Sequence, residues 1–97
     1  SPFEVLINSA KRIFFLLDKE KIQLNASEKK IILTKIIDVL SSRIANGEGN
    51  DNDKCELAWL YLFNQQLSEA RKITSQVLKA NPNNFHAQKL KKKLKIN

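Results

Sequence analysis

Cys55 and His86 are the two side chains with the chemistry of a nucleophile and a base, and the chain holds one of each. A thiolate beside an imidazole can attack a carbonyl, but such a pair also needs a group to orient it and donors for the oxyanion. The 97 residues contain no glycine-rich phosphate loop and no second histidine or cysteine to supply them. A buried, inert thiol is the plainer reading of Cys55. The chain is therefore expected to be non-catalytic, with no cofactor. Residues 46–53, NGEGNDND, gather carboxylate and amide oxygens and hold both glycines of the chain. A calcium loop needs a glycine at its sharp turn and a closing glutamate at fixed offsets, and neither falls in place here. This stretch reads as a linker, and no metal site is expected.

The remaining chemistry is cationic. The formal charge is +7, of which residues 85–97 supply five units through Lys89, Lys91, Lys92, Lys93 and Lys95, leaving +2 for the other eighty-four residues. Fourteen lysines stand against three arginines, whereas base edges and phosphates are most often gripped by the guanidinium fork. Nucleic acid is thus the lesser expectation, and the lysines read mainly as a solvated face. A single cysteine excludes an internal disulfide framework and points to a reducing, cytoplasmic setting. The apolar runs, Ile13 to Leu17 and Leu57 to Phe63, are too short to span a bilayer. The chain starts at Ser1 and has no methionine, which reads as a segment of a longer protein.

Helices must position these groups, because two glycines and two prolines are too few for the turns of a many-stranded fold. Phe3, Leu6, Ile7, Ala10, Ile13, Phe14 and Leu17 recur at steps of three and four, predicting a helix from Pro2 to about Lys19. Asn25 followed by Glu28 has the form of a capping box. It predicts a second helix to about Ala45, with Ile32, Leu33, Ile36, Ile37, Leu40 and Ile44 inward. Asp53 and Glu56 repeat that spacing before an apolar run through Phe63, predicting a third helix. A fourth starts near Leu67 or Ser68, turns Ala70, Ile73, Val77 and Leu78 inward, and stops before Pro82. A fifth, over 84–95, carries Ala87, Leu90 and Leu94 as a narrow stripe. The expected fold is all-α, a single helical domain over 1–97. It divides into an N-terminal hairpin over 1–45, a loop over 46–53, a hairpin over 54–84 and a basic closing helix over 85–97.

The stretch 51–84 resembles one tetratricopeptide repeat. Leu57 and Ala58 set a large and a small residue side by side, Tyr61 follows three on, Ala70 nine further and Pro82 twelve after that. Small side chains at 58 and 70 let two antiparallel helices approach closely, Tyr61 fills the gap between them, and Pro82 ends the second helix. Thr74 and Val77 depart from the family pattern, where a large aromatic and a small residue are usual. The fifth helix starts as a further repeat would, but it places Lys92 and Lys95 where packing residues belong. It is thus expected to cap the array with a polar face. The resemblance implies antiparallel hairpins stacked as a short right-handed superhelix. Because a lone repeat cannot bury its own apolar faces, the first two helices or a partner must cover the rest.

The resemblance further implies a protein-interaction scaffold. Its groove would be lined by Asn52, Cys55, Trp59 and Leu62, with His86, Lys89 and Lys93 from the closing helix. The partner would be a protein or peptide, acidic in character, or another domain of the parent chain. The family's clamp on a terminal carboxylate needs a lysine and an asparagine four apart, and Cys55 and Trp59 hold those places, so that specialised role is not expected. Two rivals remain: a nucleic-acid-binding domain using the last helix, and a homodimer formed through the wide stripe of the first.

Overall fold

The computed structural model describes residues 2–19 and 23–97 and is all-α. Its five helices are α1 (Pro2–Asp18), α2 (Ala26–Ala45), α3 (Asp51–Phe63), α4 (Leu67–Ala80) and α5 (Phe85–Leu94). The chain divides into two compact units, Ser1–Glu48 and Gly49–Asn97. No helix among the described residues is long and apolar enough to cross a membrane.

In the first unit α1 and α2 form a hairpin, as the two periodic stripes predict; its connection at 20–22 lies outside the described residues. Phe3, Ile7, Ala10 and Leu17 of α1 and Leu33, Ile37 and Leu40 of α2 are buried, while Leu6, Ile13, Phe14, Ile32, Ile36 and Ile44 are half-buried. The capping box at the start of α2 is present: Glu28 donates its N–H to Asn25 Oδ1 at 2.8 Å, and Asn25 N–H reaches Glu28 Oε1 at 3.1 Å. In the last turn of α2, the Arg43 guanidinium pairs with both oxygens of Glu48, the Nη2 to Oε1 distance being 2.8 Å. The hydrogen bond and charge of Arg43 hold the Glu48 carboxyl below its usual range. That contact helps stability above the ordinary carboxylate pKa and is lost as pH falls through the depressed one.

The second unit holds three mutually packed helices, with α3 against α4 and α5 against both. Its core gathers Cys55, Ala58, Ala70, Val77, Ala87, Leu90 and Leu94, with Trp59, Tyr61, Leu62 and Ile73 packed on its border. Ala58 and Ala70 are both fully buried in it, where side chains no larger than a methyl permit close approach of α3 and α4. Thr74 is also fully buried, and its hydroxyl donates to the Ala70 carbonyl at 2.8 Å. A polar residue is thereby accommodated in the core with its hydroxyl satisfied. Pro82 is exposed in the turn between α4 and α5, closed by Asn84 N–H to Asn81 O at 3.1 Å.

The start of α3 differs from the expectation. Its cap is Asn50, whose side chain accepts from Asp53 N–H at 2.9 Å while Asp53 Oδ2 accepts from Asn50 N–H at 2.9 Å. The helix therefore begins within the stretch expected to be loop, and the Asp53 with Glu56 cap is replaced by Asn50 with Asp53. Asp51 and Asp53 in the first turn face the positive end of the helix dipole, which favours this earlier start.

Among the described residues, three helices end with a residue in the left-handed region: Gly47 (φ 94°) after α2, Gln65 (φ 62°) after α3 and Lys95 (φ 55°) after α5. Each closes with a six-to-one bond, from Glu48 N–H to Arg43 O, Gln66 N–H to Tyr61 O and Ile96 N–H to Lys91 O. Only the first uses glycine, which adopts this conformation without steric cost. Gln65→Gly is accordingly expected to raise the unfolding free energy by about 0.5–1 kcal/mol. A urea midpoint unchanged or lowered by the substitution would show that the Gln65 conformation carries no penalty.

Candidate partner-binding face

The N-terminal ends of α3 and α5 are tied by Asn84. Its Oδ1 caps α5 by accepting Ala87 N–H at 3.0 Å and lies 3.7 Å from the Cys55 sulfur, while its Nδ2 donates to Asn52 Oδ1 at 3.1 Å. Asn84 is itself buried, so one amide side chain meets a helix cap, a core thiol and a surface asparagine. The face around this junction consists of Asn52 on α3 and the outer side of α5, both exposed.

Cys55 does not belong to that face. It is 1% exposed and sits in the core beneath α5, where burial, with the Asp51 carboxylate adding to it, pushes the thiol up to about 11. The reason is the packing of α5 onto α3, which brings Asn84 over the sulfur. Trp59 and Leu62 are half-buried and packed on the core. Their contribution is first to stability, and only their outer edges are available to another molecule.

His86, Lys89 and Lys93 are exposed, and the structure adds a residue absent from the expected groove. Phe85, 66% exposed, sits with its ring 4.9 Å from the Lys89 ammonium and meets the His86 ring edge-on at 5.6 Å between centroids. Both contacts suit the quadrupole of the aromatic ring, whose face attracts cations. Lys89, Lys92 and Lys93 make no ion pair with another described residue. The face is thus an aromatic ring set among uncompensated cations. Comparison with protein-family models, curated proteins and solved structures gave no match.

Phe85 was legible in principle: it lies off the Ala87, Leu90 and Leu94 stripe and one turn before Lys89, which places it outward on the helix. Asn84 carried a weaker signal, that of an asparagine directly preceding a helix. Its tie to Asn52, thirty-two positions away, has no local signature.

Proposed function

We propose that the chain is a non-catalytic, tetratricopeptide-like interaction module that holds an acidic segment of a protein. That segment belongs to a partner or to another domain of the parent chain, and it lies against the α5 face and the adjoining end of α3. The observation that carries this reading is the set of exposed lysines around the 66% exposed Phe85, with no carboxylate among the described residues pairing with them. Electrostatic complementarity across an interface sets encounter rate and orientation, and an aromatic ring at its centre supplies an anchor that loses little entropy on binding. The Asn52–Asn84 bond and the α5 cap hold this face in place before a partner arrives, which lowers the ordering cost of association. The repeat-like spacing of Leu57, Ala58, Tyr61, Ala70 and Pro82 supports the same role.

With the chain as bait, a pull-down is expected to recover a protein whose binding weakens about tenfold, or 1.4 kcal/mol, in the Lys89→Glu/Lys93→Glu variant. Phe85→Ser should weaken it without altering the melting curve, because the ring is exposed. A partner held equally by all three proteins would refute the assignment of this face. Nucleic acid is the rival occupant of the same cations. A gel shift that persists at physiological salt, where phosphate-driven binding falls steeply, would replace the proposal.

A further inference from the structure

The hairpin of the first unit carries an apolar groove that the proposed function leaves unused. Leu6 and Ile13 of α1 form one wall and Ile36 and Val39 of α2 the other, with Ala10 buried at the floor. Val39 is 47% exposed, and Ser9, exposed beside Ala10, adds a second small side chain to the lining. From Leu6 to Ile13 the groove runs two helical turns, about 10 Å. Small residues between branched walls make a hole that accepts one side-chain ridge of a third helix. One cation, Lys35, lines the groove, and Arg12 lines the adjoining depression on α1 that shares Ser9 and Ile13 with it; neither makes an ion pair with another described residue. No carboxylate lies among the lining residues.

We infer that this groove docks an amphipathic helix of a partner protein, its apolar stripe between α1 and α2 and its flanking carboxylates on Lys35 and Arg12. Helix-in-groove recognition uses anchors one turn apart, which is the spacing of the holes here. A second copy of the chain fits less well, because a two-fold contact through this face sets Lys35 and Arg12 against their own equivalents. A lipid surface fits less well too: an interfacial helix buries an outward apolar face among the lipids, whereas these side chains line a recess between two helices.

The test uses the chain carrying Lys89→Glu and Lys93→Glu, so that α5 does not contribute. Its probes are two synthetic amphipathic peptides of about four turns, identical in their leucine stripe and flanked by glutamates or by lysines. Fluorescence anisotropy is expected to show the glutamate peptide binding about tenfold more tightly than the lysine peptide. Val39→Asp should abolish binding of both, and Lys35→Glu should reverse the preference. Both positions are exposed, and a melting curve checks that each variant is folded; should Val39→Asp unfold, Lys35→Glu alone decides. Equal binding of the two peptides, no binding of either, or indifference to Lys35→Glu overturns the inference. So does a concentration-dependent dimer in sedimentation that Val39→Asp dissolves, which would make the occupant a second copy. Cosedimentation with vesicles containing anionic lipid, lost in the same variants, overturns it in favour of a membrane. Failure of the α5 pull-down would leave this groove untouched, since the two surfaces lie on different units.

Discussion

Leu90→Ala is expected to lower the unfolding free energy of the Gly49–Asn97 unit by about 3 kcal/mol, and with it the melting temperature by about 15 °C. Leu90 is fully buried, in a core built from three short helices. Removing its branched end costs the transfer free energy of the lost carbons and leaves a cavity that the surrounding helices fill only in part. The loss is large against the stability of a small domain, whose total is roughly 5–15 kcal/mol. Trp59, the one tryptophan of the chain and packed on this same core, reports the transition by its fluorescence. Lys92→Ala, on the exposed side of the same helix, is the control and should change stability by no more than about 0.5 kcal/mol. If the two variants melt together, α5 is not docked through its Ala87, Leu90 and Leu94 stripe, and the basic face above it has no fixed geometry to offer a partner.

That stripe was legible in the sequence, as were the helices, because apolar spacing and paired caps are local signals. Asn25 with Glu28 admitted one reading, and it is the observed one. At the start of α3 the expected cap was Asp53 with Glu56, and the structure instead uses Asn50 with Asp53, a pair of the same spacing three residues earlier. Spacing cannot rank them, and the backbone chose the earlier. Gln65 shows a different limit, since a left-handed residue that is not glycine has no mark in composition. The site was less legible than the fold. The tetratricopeptide resemblance put Cys55 on the groove while its chemistry read as a buried thiol, and it is buried; that burial depends on α5, whose Asn84 arrives from twenty-nine residues away. Conversely Phe85 reads as core by its chemistry and is exposed by its angular position, so hydrophobicity and periodicity disagreed there and periodicity was right.

Asn84→Ala should have the second-largest effect, about 2 kcal/mol. The α5 cap contributes about 1 kcal/mol, and truncation also leaves the Cys55 thiol and the Asn52 side chain without their buried partner. Asn84→Asp separates these parts. A carboxylate still caps Ala87 N–H and meets the helix dipole favourably, but it cannot donate, so a bond to Asn52 requires the exposed Asn52 amide to turn and present its Nδ2. That variant should keep most of the cap energy and weaken the tie between α3 and α5. Cys55 gives the readout. In the native unit its thiol holds its proton up to about pH 11, whereas an unfolded thiol ionises near pH ~8.5. Labelling at moderately alkaline pH therefore proceeds through opened molecules, and its rate should rise in the order wild type, Asn84→Asp, Asn84→Ala. The same pKa difference fixes the sign of the pH dependence. The protonated core thiol contributes fully below the unfolded value, and the unit loses stability as pH rises through that window. Equal labelling rates in all three proteins would mean that Asn84 does not clamp α5, and the preorganised face proposed for the partner would lose its support.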